Sequence, residues 1–116
     1  MSVDESYLVY VQDQLSSLGP TTVRKMFGGA GLYLKGTIFA IIADDALYFK
    51  VDDANRPDYE AAGQGPFNPY GGKSTMSSYY EVPIEVLEDD EKIREWADKA
   101  VEAAIRAPSI KAKKRQ

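Results

Sequence analysis

The sequence predicts an α+β fold of two layers, an antiparallel β-sheet meander packed against an N-terminal and a C-terminal helix. Three observations predict it. Between Arg24 and Val51 three apolar runs follow one another at hairpin spacing. A stretch of helical period precedes them, and a longer one closes the chain. The 116 residues, 44% of them hydrophobic, suit one small core and leave no room for a second.

The first helix starts where Ser2 and Glu5 make a capping box. Tyr7, Leu8, Val11, Leu15 and Leu18 then recur at helical spacing until Gly19-Pro20 ends the run. The meander follows. Its runs are Gly31 to Leu34, Ile38 to Ala43 and Leu47 to Val51, separated by Lys35-Gly36 and by Asp44-Asp45. Gly36 accepts the positive φ of a tight turn, and paired aspartates hydrogen-bond their own backbone. The unbroken Ile38 to Ala43 run predicts a strand buried on both faces, whereas Tyr48 and Lys50 alternate with Leu47, Phe49 and Val51, which gives that strand one wetter face. Helices must therefore cover at least one side of the sheet.

After the meander, Asp52-Asp53 caps a short helix over residues 54–62, in which Pro57 fits only the first turn, and Gly63 ends it. Residues 63–72 hold four glycines and two prolines around Phe67 and Tyr70, a loop with aromatic groups to lay against the sheet. A strand from Met76 to Val82 comes next. The final helix follows the acidic Glu88 to Glu91, which suit the positive end of its dipole. Its stripe is Ile93, Trp96, Ala97, Ala100, Val101 and Ala104, and Pro108 stops it. The alanines permit close approach to the sheet, and Trp96 is the largest anchor, worth about 3–5 kcal/mol if fully buried. The predicted domain is 1–107, followed by a basic, disordered segment, 108–116.

Composition excludes much chemistry. With no cysteine and no histidine there is no thiol nucleophile, disulfide or thiolate metal site, and neither the commonest general base nor the commonest zinc ligand. No apolar run is long enough to span a bilayer and the chain opens on polar MSVDES, which predicts a cytoplasmic protein without membrane attachment. Residues 1–105 carry nine bases against eighteen acids, so the body is acidic, while Arg106 onward holds five bases and no acid. Nucleic-acid binding draws on cations that displace counterions, so any weak contact with a polyanion falls to Lys111, Lys113, Lys114 and Arg115.

Two glycine motifs and three acidic groups look chemical and read better as structure. Gly71-Gly72-Lys73-Ser74-Thr75 ends like a phosphate-binding loop, but Phe67 stands where the pattern needs glycine. Gly29-Ala30-Gly31 would need a small residue at position 34 and meets Leu34, so Gly28 and Gly29 are read as a turn or bulge. Asp44-Asp45, Asp52-Asp53 and Glu88 to Glu91 lack metal-ligand spacing and sit at turns or helix starts. No catalytic residues, metal site or cofactor are therefore expected. Lys25, Lys50 and Lys73 with Tyr33, Tyr79 and Tyr80 would line an anion pocket if their strands converged, but cross-strand pairing on a solvated face is the simpler expectation. Arg24, Lys25, Met26 and Phe27 put a basic pair beside two large apolar residues, which reads as a strand and also as a partner-docking edge.

Four segments, RKMFGGAGLYLKG at 24–36, FAIIADDALYFKVDD at 39–53, GPFNPYGGK at 65–73 and SYYEVPIEVLED at 78–89, run in order through almost the whole chain. Together they resemble the N-terminal domain of the TfoX/Sxy family, bacterial proteins linked to natural competence. The resemblance implies a two-layer α+β fold and a stand-alone copy of that domain, since the second, helix-hairpin-helix-like domain of full-length members is not in this sequence. It also implies a non-enzymatic regulatory module that binds a protein partner in the transcription machinery. The alternative is a self-associating, homodimeric or small-ligand-binding α+β domain with no role in competence.

Overall fold

The computed structural model describes residues 5–26, 29–43, 46–67 and 76–107. The helices are α1 (Glu5–Gln14), α2 (Arg56–Ala61), α3 (Ile84–Leu87) and α4 (Asp90–Arg106), with a 3-10 turn at Ser16–Leu18. The strands are β1 (Thr21–Met26), β2 (Gly29–Leu34), β3 (Thr37–Ala43), β4 (Ala46–Lys50), β5 (Pro66–Phe67) and β6 (Met76–Glu81). Among the described residues these six make one antiparallel sheet in the order β1-β2-β3-β4-β6-β5, so β1 and β5 are its edges. The expected α+β architecture, with helices from both ends of the chain against the sheet, is what forms.

The β2–β3 hairpin closes on Lys35 and Gly36, both at positive φ (52° and 83°), with Leu34 opposite Thr37. Two left-handed residues in a two-residue loop match the right-handed twist of the flanking strands. Farther along the pair, Leu32 faces Ala40 but Tyr33 faces Ile38, so Phe39 is an extra residue in β3. That bulge sends Phe39 and Ala40 into the same helix-covered core, while Ile38 and Ile41 serve the other face. β3 is buried from both sides, as its unbroken apolar run predicts.

The main core lies between the sheet and the helices. Leu8, Val11 and Leu15 from α1 and its C-terminal turn meet Leu32, Phe39, Ile42, Leu47 and Phe49 from the sheet. α4 contributes Ile93, Ala97, Ala100 and Ala103, all fully buried, so its small side chains do let it seat closely on the sheet. Asp89 is its N-cap, accepting hydrogen bonds from the amides of Glu91 and Lys92 at 3.0 Å, which holds the Asp89 carboxyl below its ordinary pKa. Trp96 is only partly buried, its ring edge-on to Tyr59 at 4.6 Å, so it is a flank of the core and less of an anchor than full burial would make it.

Three elements differ from the sequence reading. The short helix after β4 spans Arg56–Ala61, with Asn55 and not the aspartate pair at its N-cap position. Asn55 is fully buried: its Oδ1 accepts from the Asp52 amide at 2.8 Å and its Nδ2 donates to the Lys50 carbonyl at 3.1 Å, closing the turn from inside. The segment read as pure loop includes β5, which brings Phe67 onto Tyr48 at 4.3 Å. Finally, α3 is a single turn of helix after Pro83. It escapes sequence reading because four residues are too few to display a helical period, and it buries Val86 and Leu87.

Candidate functional site

β1 carries the residues the sequence marks as a docking edge. Arg24 lies opposite Gly31 and Lys25 opposite Ala30, so the two side chains leave opposite faces of the sheet. The Arg24 guanidinium sits 6.0 Å from the centre of the Tyr33 ring, on the face away from α1 and α4. Lys25 pairs with Glu5 at the start of α1, Nζ to Oε2 at 2.8 Å, with both side chains well exposed. Strand geometry thus separates the basic pair onto two faces and leaves both heads in solvent. Met26 ends the strand; its side chain and the whole of Phe27 lie outside the described residues.

The postulated anion pocket does not form from its described members. Lys50 lies across from Tyr79, its ammonium 5.0 Å from the ring centre, a cross-strand cation–π pair. Tyr80 faces the helices against Tyr59, and Lys25 is on that side too, so the full set does not converge, and only Tyr33, Lys50 and Tyr79 share the opposite face; Lys73 is outside the described residues. The face that holds Lys50 is lined by Ile41, Phe67 and Tyr79, with Ile38, Ala43 and Tyr48 packed around them. Burial, with the Tyr33 hydroxyl nearby, pushes the Tyr79 phenol up to about 12.

The carboxylates hold structural posts. Asp52 accepts from the Ala54 amide at 2.9 Å and takes a two-pronged hydrogen bond from Arg106, Nε at 2.8 Å and Nη2 at 3.0 Å, which clasps the end of α4 to the β4–α2 turn. That guanidinium is the main reason the Asp52 carboxyl lies below its ordinary pKa. Asp53 pairs with Arg56, and Asp58 with Lys99. Among the described residues no group of three carboxylates is placed to hold a metal ion. Gly29 is inside β2, where a Cβ would come within 2.2 Å of the Ile42 carbonyl oxygen. Its glycine answers to that backbone approach. Asp44-Asp45, the Gly71 to Thr75 motif and the basic segment from Lys111 to Arg115 are outside the described residues.

Sequence reading did not anticipate a groove of about 250 Å³ where α1, the start of β4 and α3 meet. Leu47, Val82 and Leu87 form its floor, Tyr7, Tyr10 and Ile84 its walls, and Glu81 and Glu88 stand at its margins. Gln14 helps to shape it by donating from Nε2 to the Leu87 carbonyl at 2.8 Å, which ties α1 to α3. Ile84 is 67% exposed and Tyr10 39%.

The described residues form an α+β domain with an edge strand, β1, and an apolar groove, in which Asp52, Asp53, Asp58 and Asp89 are engaged in turns, a helix cap and ion pairs. The family is equally clear: the chain belongs to the TfoX N-terminal domain family, whose model matches residues 13–104. A relative from Spirochaeta aurantia, described as an uncharacterized 12.7 kDa protein in the trpE 5' region, is 29% identical over 108 residues, covering 93% of this chain and 88% of its own. Among the described residues, no helix is long and apolar enough to cross a membrane.

Proposed function

We propose that this protein is a non-enzymatic, cytoplasmic regulatory module that binds another protein, of the transcription machinery, in keeping with the competence regulators whose N-terminal domain it resembles. The observation that carries this reading is the position of β1. It is a six-residue strand at the edge of the sheet, and among the described residues no strand pairs with its outer side. Such an edge offers backbone hydrogen bonds to an added strand, and Arg24 and Lys25 flank it with exposed charge on either face. Met26 and Phe27 complete the docking segment. The acidic body is unsuited to phosphate backbones, so Lys111, Lys113, Lys114 and Arg115 make whatever weak nucleic-acid contact there is.

The test is affinity capture from a bacterial lysate with the full chain, beside an Arg24→Glu/Lys25→Glu variant and a variant in which the four basic residues from Lys111 to Arg115 are alanine. A transcription factor or polymerase subunit should be recovered by the parent and by the alanine variant, and lost with the charge reversal. A second reading draws on the same edge: two copies pair β1 with β1 about a two-fold axis. Recovery of the chain alone, with a sedimentation mass that rises with concentration, favours that reading over the regulatory one.

A further inference from the structure

Among the described residues four large apolar side chains are exposed, Val9, Tyr10, Ile84 and Ile105, and two of them, Tyr10 and Ile84, flank the same groove between α1 and α3. Scattered exposed apolar groups are ordinary, but a pair bordering a concave apolar floor marks a place where something is covered. The groove is lined by no lysine or arginine, while Glu81 and Glu88 stand at its margins. Neither carboxylate has an ion pair or side-chain hydrogen bond among the described residues.

We propose that this groove is a docking site for a cationic peptide segment of a partner protein, in which one aliphatic or aromatic side chain enters between Tyr10 and Ile84 while flanking lysines or arginines meet Glu81 and Glu88. Size favours a side chain over a small-molecule ligand, since about 250 Å³ is less than the roughly 300–1,000 Å³ typical of ligand pockets. Charge excludes the other large partners. A rim of two carboxylates on a body with twice as many acids as bases repels nucleic-acid phosphate and anionic lipid headgroups, and attracts basic peptides. The site goes beyond the edge-strand reading: three strand spacings, about 14 Å, separate β1 from β4. Its failure and that of the edge are therefore separable.

The experiment is fluorescence anisotropy of three labelled synthetic peptides on the full chain: leucines flanked by lysines, the same leucines flanked by glutamates, and the lysines with serine in place of leucine. Only the leucine–lysine peptide should saturate. Ile84→Asp and Ile84→Ala should weaken it about tenfold or more and moderately, respectively, as expected for an anchor contact. Glu81→Gln/Glu88→Gln should also weaken it, whereas Glu60→Gln, an exposed acid on α2, should leave it unchanged. Because Ile84 is largely exposed, its replacement spares the core, and circular dichroism verifies that the fold persists. Equal binding of the serine–lysine peptide, or insensitivity to both Ile84 variants, reduces the effect to general attraction by an acidic protein and overturns the proposal. So does a concentration-dependent mass abolished by Ile84→Asp, which would make a second copy the occupant.

Discussion

Replacing Tyr59 by phenylalanine should stabilise this protein. The Tyr59 ring is enclosed, at 1% exposure, with Trp96 edge-on at 4.6 Å and Tyr80 at 5.8 Å, but its hydroxyl is buried without a hydrogen-bond partner among the described residues. A buried polar group left unpaired costs about 1–3 kcal/mol, and phenylalanine keeps the ring contacts while removing that cost. We expect a gain of about 1 kcal/mol, which for a domain of this size raises Tm by about 3–6 °C. Tyr59→Ala, which also removes the ring, should instead lose about 3–5 kcal/mol.

The alkaline limb gives an independent readout of the same hydroxyl. Burial raises the Tyr59 phenol above its ordinary value, with the Asp58 charge adding to the effect, and Tyr79 is raised to about 12. In the unfolded chain both titrate near 10. Below that pH both states hold their protons and neither tyrosine makes stability depend on pH. Above it the unfolded chain releases protons that the folded chain keeps, so stability falls by about 1.4 kcal/mol per pH unit for each tyrosine. The parent should therefore lose stability between pH 10 and Tyr79's value of about 12, and Tyr59→Phe should lose it with a slope shallower by one proton. Urea titrations followed by circular dichroism at pH 7, 10 and 11 measure both effects. A Tyr59→Phe protein less stable than the parent at pH 7, or one with an unchanged alkaline slope, would show that the hydroxyl has a partner and refute the reasoning.

Two further perturbations test the frame around the sheet. Gly29→Ala should cost about 1–3 kcal/mol, because the added Cβ meets the Ile42 carbonyl oxygen at 2.2 Å and the β2–β3 pair must spread; a urea midpoint equal to the parent's would contradict that contact. Asp52→Asn removes the charge and one of the two acceptor oxygens of the Arg106 clasp, and should lower the urea midpoint at pH 7. Because the folded Asp52 pKa is below its unfolded value near 3.8, its contribution is present above that pH and fades as pH falls through the folded value. The difference between parent and variant should accordingly shrink from pH 5 to pH 2, and a constant difference would place the effect elsewhere.

Periodicity made the frame legible before any coordinates. The Ile38 to Ala43 run, the alternation around Tyr48, the Lys35-Gly36 turn and the stripe from Ile93 to Ala104 each state local geometry in residue spacing, and each appears in the fold. Segments shorter than one period were not readable in this way. α3 is one turn and β5 is two residues, and both are held by packing, Val86 and Leu87 into the core and Phe67 onto Tyr48. Asn55 is a similar case, since a polar residue beside three acids gives no sign that both ends of its amide will be used inside a turn.

By itself the sequence determined the fold class, the family, the acidic body and the absence of histidine and cysteine chemistry, because these depend on which residues are present and how they are spaced along the chain. Only the tertiary structure decided which surfaces exist. Arg24 and Lys25 are neighbours in sequence yet leave opposite faces of an edge strand, while Tyr10, Ile84, Glu81 and Glu88 come from three separate elements to border one groove. Strand pleating parts the first pair, and packing of α1 and α3 at one end of the sheet gathers the second set. Neither relation is carried by local spacing, because a surface is a property of chain segments brought together.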